Sequence, residues 1–300
     1  MAIIVQDTYI EVTRRCNTVC KHCQRGPKEN IDLSKEDVDT FLGNFMYIKH
    51  LSLGGGEPTL NPDIIEYIVD KIIERRIVVE YFGMVTNGQV FDERIANAFN
   101  RIYEYSENLF KWKKTNNGDK NKHVVIGFST DSFHKPNEEV RELYRKHCPK
   151  IFLINHTVSD EDIIKTGFAT FGKEFTYTLR TPFYRAVLLN NIPCLHILRS
   201  INISANGFIN TYADGTYRDH DKYNFGHVSE FSIIQFLINY GIPVDNLYTN
   251  KLYIGEFYLS VLKDELYKMG CDKKTIYQLT GYVEDRVSCT PVYKKIKKEI

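Results

Sequence analysis

The chain has 300 residues, 43% of them hydrophobic, and its 39 basic side chains are balanced by 38 acidic ones, which excludes a globally basic nucleic-acid binder or a polybasic membrane-surface protein. No uninterrupted apolar run approaches the roughly 20 residues of a membrane span, and no basic region followed by a long apolar stretch marks a signal peptide at the N-terminus. Seven cysteines, odd in number and with three clustered, do not make a secreted disulfide framework, so a reduced, cytoplasmic protein is expected.

Tyr9 to Val12 is β-prone and reads as a strand. It runs into Cys16, Cys20 and Cys23, spaced C-x3-C-x2-C. Three thiols this close face one point only if the loop wraps around something. A structural zinc site takes four protein ligands, and no fourth cysteine or suitably spaced histidine follows; His22 is adjacent to Cys23. Three thiolates suit a [4Fe–4S] cluster with one iron left open.

Ser34 is a candidate N-cap, with Glu36 and Asp37 in the first turn, for a helix to about Asn44. Tyr47 to Leu53 reads as a strand ending in Gly54-Gly55-Gly56-Glu57-Pro58, glycines that let backbone approach a ligand. Asn61-Pro62-Asp63 opens a helix to about Arg75, with Ile64, Ile65, Ile68, Val69, Ile72 and Ile73 on one face. Val78 to Val85 is a strand ending in Thr86-Asn87-Gly88, and Asp92 to about Tyr105 is a helix. Lys111 to Lys122 is a polar, basic insert around Trp112, expected to be a solvated loop. Val124 to Phe128 is a strand followed by Ser129-Thr130-Asp131, then a helix from Asn137 to His147 and a strand from Ile151 to Asn155. His134 reads as a surface or packing residue. The alternation implies parallel β/α units, whose ligands gather at the C-terminal strand ends. The cysteine loop, the glycine stretch, Thr86-Asn87-Gly88 and Ser129-x-Asp131 all fall at such ends.

These motifs together resemble the radical S-adenosylmethionine enzymes. The family signature is C-x3-C-x-φ-C, with His22 at the φ position, and Gly55-Gly56-Glu57-Pro58 matches its second-strand motif residue for residue. The resemblance covers residues 8–135 well and the rest loosely. It implies an α/β fold, a partial (β/α)6 TIM-like barrel with a small β-hairpin and a helical C-terminal appendage. It implies one [4Fe–4S] cluster on Cys16, Cys20 and Cys23. It further implies S-adenosylmethionine held by His22, Gly54, Gly55, Gly56, Glu57, Thr86, Asn87, Ser129 and Asp131. The implied activity is reductive cleavage of S-adenosylmethionine to a 5′-deoxyadenosyl radical that takes a hydrogen from a peptide or small metabolite. An electron donor such as flavodoxin or ferredoxin is then a partner, and neither nucleic acid nor membrane is. No residue is singled out as catalytic. A glycyl-radical-enzyme activase and a non-catalytic iron–sulfur module are the rival readings.

The division expected is a barrel over 1–190 and an appendage over 191–300. Lys165 to Gly172 resembles a Gly-Arg-Ala stretch of the family, with Phe168 in place of the arginine. Ile201 to Ser204, Asn206-Gly207 and Phe208 to Tyr212 read as a β-hairpin. Its order resembles the appendage called SPASM or twitch in peptide-modifying relatives, but Tyr212 stands where a cluster-bearing relative has cysteine. Cys194, Cys271 and Cys289 are widely spaced, so the hairpin is expected to carry no auxiliary cluster and to cap the substrate side. Asp214 to Asp221 reads as a polar loop, either solvated or in contact with substrate through Tyr217 or Arg218. Helices are expected from Glu230 to Tyr240, near Leu247 to Met269 and from Lys273 to Gly281, with a basic tail at Lys294 to Lys298.

Overall fold

The computed structural model describes residues 2–110, 123–131, 133–175, 182–189 and 192–243. The insert at 111–122, both helices expected beyond 244, the basic tail, Cys271 and Cys289 lie outside these residues. Five strands and four helices alternate first: β1 (Ala2–Thr13), α1 (Lys35–Leu42), β2 (Phe45–Gly55), α2 (Pro62–Glu74), β3 (Val78–Thr86), α3 (Glu93–Phe110), β4 (Val124–Ser129), α4 (Glu138–His147) and β5 (Phe152–His156). The local chemistry explains the boundaries. Ser34 caps α1 by accepting from the Asp37 N–H at 3.0 Å, and Asn137 caps α4 by accepting from the Glu139 N–H at 2.9 Å. Pro62 opens α2, where its missing N–H removes no helical bond. The apolar faces of α1 (Val38, Phe41, Leu42) and α2 (Ile64, Ile65, Ile68, Val69, Ile72) are buried in one core with the strands.

Strand β1 starts well before Tyr9, because Ile3, Ile4 and Val5 are buried between two parallel neighbours and a strand covered on both sides reads as a continuous apolar run. Those neighbours are β2 and β7 (Ile192–Ser200). The sheet order is thus β7-β1-β2-β3-β4-β5, all parallel, with β6 (Phe183–Leu189) antiparallel to β7 and β10 (Ile242–Pro243) parallel to β6 at the far edge. The fold is α/β, as expected. The sheet is open among the described residues, and it grows past β1 rather than adding a sixth strand beside β5.

The expected hairpin is present as β8 (Asn202–Ile203) and β9 (Ile209–Asn210), with Gly207 at φ +78° in the turn, and β8 pairs with β1 at Ile10. The stretch read as a loop is instead α5 (Tyr217–Lys222). Thr216 and Asp219 close a capping box at its start, so polar residues there satisfy the helix rather than solvent. Helix α6 (Ile233–Tyr240) follows, capped by Ser232.

Candidate active site

Register fixes the site. Glu11 pairs with Gly54 and Thr13 with Gly55, Thr86 pairs with Phe128, and Ser129 pairs with His156, so the C-terminal ends of β1 to β5 lie side by side. A cavity of about 680 Å³ opens there, within the range of small-molecule sites. Cys16, Cys20, Cys23, His22, Gly54, Gly55, Gly56, Thr86, Asn87, Ser129 and Asp131 all line it. Of the residues named from the sequence, Glu57 alone is not on its surface.

The three cysteines are half-buried, unpaired thiols on a tight loop, with the Cys23 N–H donating to the Cys20 carbonyl at 3.1 Å. The Thr18 hydroxyl lies 3.2 Å from Cys16 Sγ and 3.5 Å from Cys20 Sγ, which keeps the two sulfurs close. The only other described thiol without a partner cysteine, Cys148, is buried against the Ala96 carbonyl of α3 and cannot join them. The donor set fits a [4Fe–4S] cluster with one iron free of protein: three thiols on one loop, facing a cavity with room for a further ligand.

The glycines admit the protein's own backbone. The Gly56 N–H donates to the Thr13 carbonyl and the Glu57 N–H to the Arg15 carbonyl, each at 2.8 Å. A Cβ on Gly55, at φ +139°, would lie 2.0 Å from Thr13 O, and one on Gly56 would lie 2.3 Å from Arg15 O. The sequence reading gave these glycines to a ligand. In the structure they first allow the cysteine loop to dock on the end of β2.

Glu57 is 1% exposed. Its carboxylate accepts from the Thr59 N–H and hydroxyl at 3.1 and 2.6 Å, the Thr86 hydroxyl at 2.6 Å and the Asn87 N–H at 2.8 Å. It ties the ends of β2 and β3 together. Asn87 in turn donates to the Asn17 side chain at 2.8 Å, joining β3 to the cysteine loop.

Asp131 accepts from the N–H groups of Phe133 and His134, both at 2.9 Å, and holds His134 Nδ1 at 2.8 Å. His134 Nε2 lies 3.2 Å from Cys20 Sγ. His134 is therefore part of the site, not the surface or packing residue the sequence suggested; its spacing of three from Asp131 was the available signal. With the thiols free, the bond to Cys20, aided by Asp131, raises the His134 pKa to about 9, and the same bond lowers that of Cys20. Burial raises that of Cys23 and lowers that of His22. The His22 ring stacks on Phe133 at 4.1 Å, so the φ position packs the loop against the end of β4. His22, Asp131 and His134 bring ligand atoms within 4.8 Å of one another, but Asp131 is already engaged by four internal bonds.

A strap beyond β5 closes over the loop. The Phe168 N–H donates to the Cys23 carbonyl at 2.9 Å and the Thr166 hydroxyl to the Gln24 carbonyl at 3.1 Å. Gly167, at φ +62°, sits so close that a Cβ would meet Cys23 O at 2.5 Å. The strap holds the loop through the Phe168 N–H and the close approach of Gly167.

From the appendage, Ala213 and Asp214 reach the cavity. Arg14, whose side chain is fully buried, fastens that appendage: it bonds Asp221 twice (2.7 and 2.9 Å), Glu29 at 2.7 Å and Glu11 at 2.8 Å. Tyr217 is buried beneath it, with the guanidinium 4.8 Å from the ring, so Tyr217 is a packing residue and not a substrate contact; Arg218 is exposed. Tyr212 stacks on Phe175 at 5.4 Å. Cys194 lies on β7, in register with Ala2 and Val187. No helix of the described residues is long and apolar enough to cross a membrane.

The chain is 33% identical over 88 residues to a probable GTP 3′,8-cyclase of Methanothermobacter marburgensis, covering 28% of each chain. It is 32% identical over 99 residues to an uncharacterized protein of Methanocaldococcus jannaschii, covering 31% of this chain and 34% of that one. The chain thus spans about a third or less of the curated relatives it matches. Among solved structures, anSMEcpe with bound AdoMet aligns over 78% of this chain and 77% of its own, at 12% identity and a TM-score of 0.46. The Radical SAM superfamily matches residues 10–156, from the middle of β1 to the end of β5. That stretch, which matches the Radical SAM superfamily, carries the three thiols and the row of strand ends.

Proposed function

We propose that this protein is a radical S-adenosylmethionine enzyme that acts on a peptide or small metabolite. The observation that carries the reading is the convergence of Cys16, Cys20 and Cys23 with the ends of β2, β3 and β4 on one cavity. Cys16, Cys20 and Cys23 hold one [4Fe–4S] cluster. Gly54, Gly55, Gly56, Thr86, Asn87, Ser129, Asp131 and His22 surround S-adenosylmethionine. When bound, these two groups supply one-electron reductive cleavage to a 5′-deoxyadenosyl radical. The chain's own residues position and shield. Glu57 fixes the strand ends at which the cofactor sits, and the strap at Thr166 to Phe168 pins the cysteine loop. The region from about 201 to 230 is a metal-free cap that closes one side of the cavity and excludes water, locked to β1 through Arg14. The electron comes from a flavodoxin- or ferredoxin-type donor in a reducing cytoplasm.

Anaerobic reconstitution with iron and sulfide, reduction with dithionite and addition of S-adenosylmethionine should yield 5′-deoxyadenosine and methionine by mass spectrometry. The triple variant C16A/C20A/C23A should yield none. No 5′-deoxyadenosine from iron-loaded wild type, or equal amounts from the triple variant, would refute the enzyme reading.

A further inference from the structure

Three groups on the cavity wall have no task in holding the cluster or S-adenosylmethionine: Tyr9, Arg25 and Asp214. Arg25 is 8% exposed. Its Nη1 donates to the Gly215 carbonyl and its Nη2 to the Tyr9 hydroxyl, and Nη1 also lies beside His220 Nε2, each at 3.2 Å. All three partners are neutral. A guanidinium carries five N–H donors and is always charged, so these bonds leave donors over. Among the described residues no carboxylate comes within ion-pair distance of it. Glu11 binds Arg14 at 2.8 Å and the Ala205 N–H at 3.0 Å through one oxygen, and its charge, like that of Asp214, reaches Arg25 only from beyond ion-pair distance. A buried cation without an ionic partner is costly unless something else supplies the counter-charge.

Asp214 stands on the same wall, half-buried, and its carboxylate has no hydrogen bond or ion pair among the described residues. Its backbone is firmly placed: its carbonyl faces His220 Nε2 at 2.9 Å, Gly215 turns at φ +103°, and the capping box at Thr216 starts α5 directly after it. Loop and helix therefore hold a carboxylate on the same cavity wall as the Arg25 guanidinium and beyond ion-pair distance from it. The Tyr9 hydroxyl accepts from Arg25 and keeps its own proton to donate. One ligand chemistry matches this set. A carboxylate takes the spare guanidinium donors, and a nitrogen one carbon away gives its N–H to the aspartate.

We infer that Arg25 and Asp214 bind the α-carboxylate and the α-nitrogen of an amino-acid unit of the substrate, with Tyr9 donating to the same carboxylate. The inference rests on the proposed radical chemistry and deepens it: the substrate enters as a free amino acid or as the C-terminal residue of a peptide. Recognition of an internal peptide segment would leave the spare Arg25 donors without a carboxylate to bind.

The test uses iron-loaded protein saturated with S-adenosylmethionine. Calorimetric titration is carried out with free L-amino acids, N-acetyl-L-amino acids and L-amino-acid amides, first as pools and then singly. Binding is expected for at least one side chain in a form with a free carboxylate, and to weaken at least tenfold for its amide. Tighter binding of the N-acetyl form identifies a peptide C-terminus, and tighter binding of the free form identifies a free amino acid. D214N should weaken the best ligand at least fivefold and Y9F should weaken it less; both replace groups at the cavity surface, so the result does not depend on the buried Arg25. R25K, which keeps charge and loses the fork, should weaken it more. No binding by any compound, indifference to amidation, or no effect of D214N would overturn the inference. So would an equal loss of S-adenosylmethionine affinity in D214N, which would assign the wall to the cofactor. Absence of 5′-deoxyadenosine in wild type would instead refute the enzyme reading and leave the binding result standing.

Discussion

Replacing Arg14 with methionine tests how the appendage is joined to the domain. The Arg14 side chain is fully buried and that of Glu11 is 1% exposed, and they meet at 2.8 Å. R14M leaves the Glu11 carboxylate inside the protein with the Ala205 N–H still donating to it at 3.0 Å. Breaking one side of a buried pair costs about 3–5 kcal/mol. Asp221 and Glu29 are 40% and 36% exposed and can turn to water, so they add little. D221N, which keeps the buried pair, should therefore cost only about 1 kcal/mol. R14M/E11Q removes the stranded charge and should regain about 2 kcal/mol over R14M. Equilibrium urea unfolding of the reduced apoprotein measures all three. R14M within about 1 kcal/mol of wild type, or a double variant no more stable than R14M, would refute the view that Arg14 works by neutralising Glu11. Because Arg14 lies two residues before Cys16, reconstituted R14M should also retain less iron than D221N.

Three further outcomes are expected. G55A should destabilise by at least about 2 kcal/mol, since its Cβ meets Thr13 O at 2.0 Å in a left-handed conformation, whereas G83A, with its nearest atom at 3.6 Å, should be close to neutral; thermal unfolding compares them. In apoprotein, H134A should slow iodoacetamide alkylation of Cys20 several-fold at neutral pH relative to Cys23, because the His134 bond favours the Cys20 thiolate; mass spectrometry of the labelled peptides reads the ratio. Burial holds His123 at a pKa of about 4, below its ordinary 6.5, so the unfolded chain binds the extra proton first. Its contribution is therefore complete above pH 6.5 and is lost as pH falls toward 4, by about 3 kcal/mol, and H123Q should flatten the stability profile across that window.

The β/α units were legible because their signals are local. Ser34 and Asn137 cap helices, Pro62 starts one, and apolar runs mark the strands. What failed was non-local. Nothing around Ile192 to Ser200 says that it lies beside β1, since strand neighbours are chosen by pairing across the chain. Arg14 and Arg25 sit in a polar stretch and look like surface residues; only the return of α5, some 200 positions later, buries them. The Thr216-x-x-Asp219 box was present in the sequence but was outweighed by the polarity of the segment. The motif gives the strand end at which Glu57 sits, and only the donors around its carboxylate show that it bonds to Thr59, Thr86 and Asn87.

The central claim is that Cys16, Cys20 and Cys23 hold a [4Fe–4S] cluster that meets S-adenosylmethionine in the strand-end cavity. Electron paramagnetic resonance of the reconstituted, reduced protein, alongside metal and sulfide counting, tests it most directly. About four irons and four sulfides per chain are expected, with a reduced-cluster signal that changes on adding S-adenosylmethionine and is lost in C16A/C20A/C23A. One zinc per chain bound by the thiols with His134, or an iron signal indifferent to S-adenosylmethionine, would contradict it.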